Sequence, residues 1–551
     1  MLKVVGASWL QTRISTYILV AVALLGIGTI ILGEFGHVEQ DGTYSATVSW
    51  NHKGGYRIDF WGQGNDLTAI PLNAARAYYR TGIFESGWSM IEIETSPKYP
   101  DFVQAYAAGF LEGSLTWQLI HHHWYNTIHS VCEKREAECR KLTRYLRNNT
   151  AIIRERAQLL EPTDPFWHMV RLFYTQLDGL EAGWKFAVRR SRQSVELTYE
   201  DFLWLAMASD VSMLEKLFNI SDSDSNIESE GQILLKTLLN ENSEPLIAIG
   251  HNTAASYTKM LRLVKKYTFG YHVLATSTTD PLIPSRSIIM SSYPGALSSQ
   301  DELYIMKGED RELIIAGTPL SISNRSTWKN LLLTEDQVMS TVRLMAANRL
   351  ATNSRSWSRM VAYQHNGVSA SQWVTFEPTT ATTWLVEQLS SITHAVDYTQ
   401  EFKKAGFLLC SGIPYFQEIR DILVDAKEET LTKQDHISSM QENITTFEQF
   451  KRLMRGRSQE ELTANESSND LPEELADRGD LDEISLPIGI IDSKVLIADA
   501  DGVQTFDATS GPIRLNSMAP FKWSESFPNI SHIGQPDTFD FNSVSPLWVW
   551  I

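Results

Sequence analysis

Two short apolar runs lie near the middle of the chain, "QILLKTLL" (232–239) and "PLIAIG" (245–250), and the polar stretch "NENSE" separates them. Apolar runs of this length, bounded by turn-forming residues, are typical of β-strands. The pattern therefore predicts an antiparallel hairpin that folds at Glu241 or Asn242. Such a hairpin places residue 231 opposite residue 251 or residue 253.

This geometry makes Gly231 and His251 neighbours at the open end of the hairpin. Beyond the histidine, apolar residues recur at i, i+3, i+4 and i+7, which predicts that the strand leads into an amphipathic helix. The four residues are Tyr257, Met260, Leu261 and Val264. A histidine at a strand end is placed either for packing or for catalysis, and the geometry alone favours a structural histidine.

The rest of the chain indicates a mixed α and β protein. "TYSATVSW" (43–50) alternates apolar and polar residues, and "NHKGG" then leads into "YRIDFW", which is a second hairpin signal. Residues from about 100 to 187 have helical periodicity, whereas the chain from residue 232 returns to short apolar runs.

Residues 14–33, "ISTYILVAVALLGIGTIILG", contain no charged residue and are long enough to cross a bilayer. Lys3 and Arg13 precede this segment and Glu34 follows it. We expect residues 1–13 to be a cytoplasmic or leader segment and residues 14–33 to be a transmembrane anchor or a signal sequence. The lack of a small-x-small cleavage pattern favours an anchor that attaches the protein to a membrane.

Two further features agree with a lumenal or extracellular location. Cys132 and Cys139 are close enough in sequence to form a disulfide, but in a regular helix they would lie two turns apart, so a bridge requires a break there. The apolar stretch around Cys410 predicts that this cysteine is a small buried hydrophobic residue. Six N-x-S/T sequons are candidate glycosylation sites, at Asn148, Asn219, Asn324, Asn443, Asn465 and Asn529.

Charge and motif spacing exclude several kinds of partner and cofactor. The net charge is −18 and no basic block with interleaved aromatic residues occurs, so we expect no nucleic-acid binding. The run "HHHWYN" (121–126) does not predict a metal site, because successive helical residues point about 100° apart. The ten carboxylates and one arginine of residues 460–483 predict a solvated acidic loop, bounded at 458–484. We expect neither a metal nor another cofactor.

Seven stretches carry a resemblance to the phospholipase B-like family. They run in the family's order and cover nearly all of the chain from about residue 42 to its end. The stretches are "AAGFLEGSLT" (107–116), "HNTAASYTKMLRLVKKY" (251–267), "SSYPGALSSQDELYIM" (291–306), "MAANRLATNSRSW" (345–357), "NGVSASQW" (366–373), "GIPYF" (412–416) and "FPNISHIGQPDTFDF" (527–541).

The resemblance implies an α+β chain with the N-terminal nucleophile hydrolase fold. In this αββα sandwich two antiparallel sheets lie between helical layers, here in one large lumenal domain of residues 42–551. The family's precursors cut themselves before a cysteine, whose own amino group then activates the thiol. The family is associated with lysosomal or secreted glycoproteins that deacylate phospholipids or cleave a related ester or amide. The implied ligand is a lipid or an acylated small molecule, and the resemblance does not identify a protein partner.

The chain departs from the family pattern at the nucleophile. The family cysteine lies five residues before a lysine that Lys236 matches, so Gly231 occupies the nucleophile position and cleavage would fall between residues 230 and 231. Glycine has no side chain with which to attack. A shift of two residues offers Ser229 as a substitute nucleophile, since serine can serve in this role.

The other family positions match unevenly. His251 and Asn252 match a His-Asn-Thr element, Gln372 and Trp373 are retained, and Ser371 stands where the family has the second of two asparagines. The loss of an oxyanion-stabilising amide can reduce a rate by roughly 10²–10³. Two hypotheses follow: a hydrolase of weak or absent activity, or a non-catalytic glycoprotein that binds a lipid or a protein in the same cleft.

Overall fold

The computed structural model describes residues 17, 18, 20, 22, 42–62, 66–218, 220, 231–240, 242–274, 280–321, 334–364, 370–389, 392–423, 438–455, 477–514 and 518–550. The chain divides into two compact units, Met1–Gly42 and Thr43–Ile551. Within the described residues, no helix is both long enough and apolar enough to span a membrane.

Three sequence predictions lie wholly or largely outside the described residues. Of the predicted anchor or signal segment, only Tyr17, Ile18, Val20 and Val22 are described, and they are helical and exposed. Ser229 is not described, and the acidic loop is described only from residue 477 onward. The membrane anchor, the substitute nucleophile and the acidic loop stay predictions.

The helices of the described residues concentrate between residues 101 and 217, as the periodicity predicted. They are α1 (Ile83–Ser86), α2 (Asp101–Leu115), α3 (Trp117–Trp124), α4 (Ser130–Cys132), α5 (Glu136–Leu160), α6 (Pro165–Ser191), α7 (Tyr199–Ala206), α8 (Ala208–Leu217), α9 (Ser340–Leu350), α10 (Ser354–Ala362), α11 (Thr399–Ala405), α12 (Gln417–Leu423), α13 (Phe447–Arg455) and α14 (Trp523–Ser526). A π-helical turn at Tyr125–His129 joins α3 to α4.

The strands of the described residues begin at residue 43 and continue to the C-terminal region. They are β1 (Thr43–Asn51), β2 (Gly55–Trp61), β3 (Ala75–Arg80), β4 (Trp88–Thr95), β5 (Gln232–Leu239), β6 (Pro245–Ser256), β7 (Arg262–Thr268), β8 (Ser287–Ser292), β9 (Leu303–Lys307), β10 (Glu312–Pro319), β11 (Ala370–Glu377), β12 (Thr382–Leu389), β13 (Ile392–Asp397), β14 (Phe407–Cys410), β15 (Ile488–Asp499), β16 (Gly502–Ser510), β17 (Phe521–Lys522) and β18 (Thr538–Phe539).

Two sheets contain nearly all of these strands. The larger sheet has eleven strands in the order β13-β12-β11-β10-β9-β8-β7-β4-β3-β1-β2, and the smaller has five in the order β14-β5-β6-β15-β16. Neighbouring strands are antiparallel except β4 and β7, which are parallel. The expected antiparallel sheets are therefore found, apart from this one pair, whose strands are joined by a long connection that contains α2 to α8 and the β5–β6 hairpin.

The two sheets face each other between helical layers. Successive residues of β5 point to opposite faces of the smaller sheet, so Ile233 and Leu235 enter an apolar core that also contains Ile314 and Val374 of the larger sheet. Leu234 enters a second core on the outer face, together with side chains of α13. The other face of the larger sheet packs on α2, α5 and α6. The described chain is thus α+β with the layer order helix, sheet, sheet, helix.

The hairpin prediction at residues 232–250 is confirmed in its register. Gln232 pairs with Asn252, Ile233 with His251 and Leu239 with Pro245, so the hairpin folds at residue 242. The sequence predicted residue 251 or residue 253 opposite Gly231, and the observed register places residue 253 there. The first hairpin is also present, with Asn51 opposite Gly55.

The predicted helix after His251 is wrong, and so is the placement of His251 at a strand end. β6 continues to Ser256, a 3₁₀ turn follows at Tyr257–Lys259, and β7 then runs through the centre of the larger sheet. The four apolar residues that suggested a helix enter three different cores: Tyr257 and Met260 one, Leu261 another and Val264 the third. These residues match helical spacing by chance, because a turn with two buried residues is followed directly by a buried strand.

Cys132 and Cys139 form a disulfide with a Cα–Cα distance of 5.8 Å. Seven residues of regular helix would span about 10 Å, so this distance depends on the interruption between α4 and α5. Cys410 is buried, as its apolar surroundings indicated. Among the sequons, Asn148, Asn443 and Asn529 are exposed, whereas Asn219, Asn324 and Asn465 lie outside the described residues.

Candidate functional site

Gly231 lies immediately before β5, in the gap between the two sheets, and is buried. A Cβ atom at this position would lie 2.8 Å from Oγ1 of Thr318, on β10 of the larger sheet, and 3.0 Å from the carbonyl oxygen of Asn252. The backbone of Gly231 is not in the left-handed region, so backbone conformation does not require glycine here. Glycine is favoured because neighbouring atoms occupy the space that a side chain would need. A larger residue fits only if Thr318 shifts.

His251 bridges the same gap from the smaller sheet. Its Nε2–H donates a hydrogen bond of 2.8 Å to the carbonyl oxygen of Gly317, and its Nδ1 is buried without a partner among the described groups. Burial and the nearby Lys494 ammonium lower the pKa of His251 to about 3. The imidazole is therefore neutral, with its proton on Nε2 and an unused acceptor at Nδ1.

Gly317 connects His251 to two further residues of the larger sheet. Its N–H donates to the carbonyl oxygen of Glu302 at 2.9 Å. The Glu302 carboxylate in turn accepts a 3.2 Å hydrogen bond from Nε1 of Trp373. A Cβ on Gly317 would overlap both the Trp373 ring and the Glu302 side chain. The Gly317 backbone thus connects His251, in the gap, to Glu302 and Trp373, whose side chains lie on the other, helix-facing side of the larger sheet.

Glu302 is a strained, buried carboxyl that the sequence analysis missed, and it lies on the helix-facing side of the larger sheet. It is buried, its φ is +67°, and burial raises the pKa of its carboxyl to about 7. A non-glycine residue in the left-handed region stores backbone strain of order 1–3 kcal/mol and is common at functional sites. The available signal was a carboxylate directly before a buried strand, within the family-like stretch 291–306.

Gln372 and Ser371 lie on β11, opposite Thr318 and Pro319 respectively. Directly opposed residues of neighbouring strands share a face of the sheet, so Gln372 lies beside Thr318. The Gln372 amide already donates to Glu387 at 2.6 Å and to the Ile413 carbonyl at 3.0 Å. It is therefore held by its own sheet, and Ser371, one position further on, is only partly buried.

Asn252 does not share the gap with His251. Its side chain donates to the Met454 carbonyl at 2.8 Å, at the end of α13 and on the outer face of the smaller sheet. Successive residues of a strand point to opposite faces, so His251 and Asn252 cannot serve the same cavity. The two residues matched to the His-Asn-Thr element therefore lie on opposite faces of the smaller sheet.

Cys410 is close to the site in space although it is distant in sequence. It lies on β14 opposite Ile233, and His251 lies opposite Ile233 on the other side. Burial and Glu387 raise the pKa of the Cys410 thiol well above its usual value. A protonated thiol is a poor nucleophile, so burial disfavours attack by the Cys410 thiol.

A buried cluster of four charges lies beside His251. The Arg262 guanidinium pairs with Asp301 and, at 2.8 Å, with Asp492. The Lys494 ammonium pairs with Asp492 and lies 3.8 Å from Asp301. Tyr293 donates a 2.7 Å hydrogen bond to Asp301. The two positive and two negative charges balance, so the cluster holds both sheets together without a net charge at the site.

The arrangement offers a neutral imidazole with a free acceptor and, at Thr318, a buried hydroxyl that has no partner among the described groups. It can accept a proton or a hydrogen bond from a ligand in the gap. At Gly231 it offers no nucleophilic side chain.

The comparisons with known proteins agree on one family. A family model described as Phospholipase B matches residues 75–546. A Drosophila melanogaster protein named "Putative phospholipase B-like lamina ancestor" is 32% identical, over 100% of both chains. A rat (Rattus norvegicus) protein named "Putative phospholipase B-like 2" is 29% identical, over 87% of both chains. A Dictyostelium discoideum protein named "Phospholipase B-like protein B" is 26% identical, over 88% of this chain and 86% of its own.

Proposed function

Because this chain belongs to the phospholipase B family, as the sequence resemblance predicted, we propose that it is a phospholipase B-like protein whose ligand is a phospholipid or a related acyl ester or amide. We further propose that its hydrolytic activity is weak or absent. The observation that carries this second part is the close packing of Gly231 against Thr318 and the Asn252 carbonyl.

The finer fold assignment is part of the proposal. An N-terminal nucleophile hydrolase places its reactive residue at the start of a strand in one of two facing sheets. The layer order of residues 43–551 and the position of Gly231 directly before β5, facing the larger sheet, both support this assignment.

Covalent catalysis needs a side chain that attacks the acyl carbon. Gly231 has none, and the buried Cys410 thiol stays protonated. The neutral His251 and the hydroxyl of Thr318 remain available to bind the polar part of an acyl group. The site therefore suits ligand binding better than turnover.

A second candidate function is retained hydrolysis. The observation that favours it is the free Nδ1 acceptor of His251, because a general base must be neutral and available. Under this alternative Ser229 supplies the nucleophile after cleavage before it.

Intact mass and phospholipid turnover of the mature glycoprotein test the two candidates. We expect a single uncut chain after deglycosylation. We also expect that phospholipid turnover does not depend on His251, so that the wild type and His251→Ala give the same rate. His394→Ala is the control, since this partly exposed histidine lies on β13, three strands from Thr318, and pairs with Glu418 at 2.9 Å. A fragment that begins at Ser229, or turnover that is lost in His251→Ala but kept in His394→Ala, would establish the hydrolase instead.

We also propose a location in the secretory pathway, either lysosomal or secreted. The disulfide and the exposed sequons at Asn148, Asn443 and Asn529 support an oxidising, glycosylating compartment. Mass shifts on enzymatic deglycosylation, compared with Asn→Gln variants at these three positions, test the proposal. Retention of an unmodified mass in the mature protein would contradict it.

A further inference from the structure

Helix α2 has the reverse of the polarity that is usual for a surface helix. Its two charged residues, Asp101 and Glu112, are only 7% and 0% exposed. A surface helix normally presents charged and polar residues to water. The side chains of α2 that reach solvent are instead Phe102, Tyr106, Phe110 and Leu115. The outward face of α2 is therefore apolar.

Aromatic rings continue this face onto the β1–β2 hairpin, at the edge of the larger sheet. Tyr56 stacks on Tyr106 with ring centroids 4.3 Å apart, and the ring of Trp50 lies 6.4 Å from that of Phe102. Trp50 is directly opposite Tyr56 in the hairpin, so the two share a face of the sheet. These contacts join the helix and the hairpin into one aromatic surface.

The same surface reaches the last turn of α6. The ring of Phe186 lies 5.6 Å from that of Phe110, and the Arg190 guanidinium lies 4.4 Å from the centre of the Phe60 ring. The most exposed rings are Phe102 at 51% and Phe60 at 39%. We call the aromatic side chains of the hairpin and of α2 the aromatic band, which consists of Trp50, Tyr56, Phe60, Phe102, Tyr106 and Phe110.

Positive charges lie at one end of the aromatic band. Lys53 is exposed in the hairpin turn, next to His52, whose ring lies 4.2 Å from that of Trp50. Lys98 is exposed next to Tyr99, whose ring lies 6.5 Å from that of Trp50. Among the described residues, neither lysine has a carboxylate partner. This end of the band therefore carries two cations that are open to a ligand.

The other end of the band is also positive. Arg189 and Arg190 are exposed in the last turn of α6, and no described carboxylate pairs with either. Two carboxylates of α6 lie near Tyr106, but Asp178 is paired with Arg154 and Glu181 with Lys185. The aromatic band is thus flanked by uncompensated positive charge, in a chain whose net charge is −18.

We propose that the aromatic band docks the protein on the surface of an anionic phospholipid bilayer. Tyrosine and tryptophan rings are favoured at the boundary between lipid and water, because each has an apolar body and a polar edge. Lysine and arginine residues beside such rings attract anionic head groups. They also oppose the repulsion between these head groups and the negative charge of the rest of the chain.

This inference goes beyond the proposed function and does not depend on it. The hairpin rings share a face with Ala46 and Val48, which belong to the core between the larger sheet and the helices. Gly231 lies on the other side of that sheet, in the gap between the two sheets. Docking through the band therefore involves neither Gly231 nor His251.

Photo-crosslinking to vesicles tests which surface of the mature glycoprotein meets the lipid. The vesicles contain phosphatidylcholine, either alone or with about 20% phosphatidylserine, and a small fraction of lipid with a photoreactive head group. With phosphatidylserine present, we expect crosslinks within residues 50–60 and 98–110. Crosslinks that fall only elsewhere, including only in the apolar segment 14–33, would overturn the proposal.

Substitutions in the band test its contribution to affinity. The double variant Phe60→Ser, Phe102→Ser should bind the phosphatidylserine vesicles about tenfold more weakly, because it removes the two most exposed rings. Leu159→Ser is the matched control, since Leu159 is a 77% exposed apolar residue of α5, outside the band, and binding should not change. Equal affinities of the double variant and this control would contradict docking through the band.

Charge is tested by Lys53→Gln, which leaves the packed rings untouched and so should not affect folding. Binding to the phosphatidylserine vesicles should weaken about fivefold, and Lys141→Gln, at an exposed lysine of α5, should have no effect. Equal binding of the wild type to the two kinds of vesicle would overturn the assignment to an anionic surface.

A second copy of the chain is the other occupant that these experiments can reveal. A dimer in solution that the double variant breaks up, without vesicle binding by the wild type, would assign the band to self-association and overturn the proposal. His251→Ala should bind vesicles as the wild type does. A failure of docking and a failure of the proposed function are therefore observed separately.

Discussion

At Gly231 the residue type is set by the space between the sheets. Thr318 and the Asn252 carbonyl occupy the volume that a side chain would fill, although the backbone there would accept any residue. The neighbouring His251 and Glu302 show the complementary effect, in which burial changes the charge state. Burial lowers the pKa of His251, so its imidazole stays neutral at pH values below the usual histidine pKa. Burial raises the pKa of Glu302, so its carboxyl stays protonated at pH values above the usual glutamate pKa.

Gly231→Ala should destabilise the protein by about 1–3 kcal/mol, because the added methyl group overpacks the gap. The free energy of unfolding in urea measures this. Gly54→Ala is the control, since its Cβ would meet no atom within 4 Å. The double variant Gly231→Ala, Thr318→Ala should recover part of the loss. A neutral or stabilising Gly231→Ala would contradict the packing argument.

Glu302→Gln should change the pH dependence of stability. The folded carboxyl has a pKa of about 7, above its ordinary value of 4.5, so the folded state holds a proton that the unfolded state has lost. Stability from this group is therefore present below about pH 4.5 and is lost as the pH rises to 7, by about 3 kcal/mol. The variant should lack this decline.

His251 has the opposite effect on the pH dependence of stability, because its pKa is lowered to about 3. Its contribution is present above about pH 6.5 and is lost as the pH falls, so the two slopes oppose each other between about 4.5 and 6.5. Unfolding free energies from about pH 5 to pH 8 should show a steeper rise with pH for Glu302→Gln than for the wild type. Glu85→Gln, on an exposed ion pair, serves as the control. Parallel curves would contradict the assignment.

Among the secondary-structure elements, α2 and α6 pack unusually closely. Gly109 and Gly113 of α2 face Gly179 and Gly183 of α6, and in each helix the two glycines are four residues apart, on one face. A Cβ at any of the four would overlap a carbonyl oxygen of the other helix. This contact holds the helical layer against the larger sheet, near strands β3 and β4.

Gly179→Ala should destabilise the protein, although helix propensity alone would favour alanine by about 1 kcal/mol. The added methyl would overlap the Tyr106 carbonyl, and overpacking of this kind typically costs about 1–3 kcal/mol, occasionally more. Unfolding free energies of Gly179→Ala and of the open control Gly54→Ala measure the difference. A gain in stability for Gly179→Ala would show that the helices can separate without loss.

In the body of residues 43–551, the buried charge cluster joins the two sheets. Arg262 belongs to β7 of the larger sheet, whereas Asp492 and Lys494 belong to β15 of the smaller. These side chains are almost wholly inaccessible to water. A buried ion pair contributes little to net stability relative to an apolar pair, but removal of one partner leaves an uncompensated charge.

Asp301→Asn should therefore destabilise the protein by about 3–5 kcal/mol, because Arg262 and Lys494 then share one carboxylate. Chemical denaturation of the variant measures the loss. Asp59→Asn, which disturbs the exposed pair with Arg57, should change stability little. A loss of less than about 1 kcal/mol in Asp301→Asn would mean that the cluster does not hold the sheets together.

The sequence by itself determined the features that depend on neighbouring residues. The turn at residue 241 or 242, the first hairpin and the helical region after residue 100 all follow from local apolar spacing and turn chemistry, and the observed pairing selects residue 242. The break between Cys132 and Cys139 could be anticipated because helix geometry alone forbids the bridge. The family resemblance followed in the same way, from short contiguous stretches.

Only the tertiary structure decided what depends on contacts between distant segments. It made residues 262–268 a central strand, because β4 and β8 bury both of its edges. It brought Cys410 beside β5 and Glu302 beside Trp373, and it sent His251 and Asn252 to opposite faces of the sheet. The sequence pattern shows which residues are apolar. It does not show which of the several cores each residue joins, because that depends on the pairing of segments that are distant in sequence.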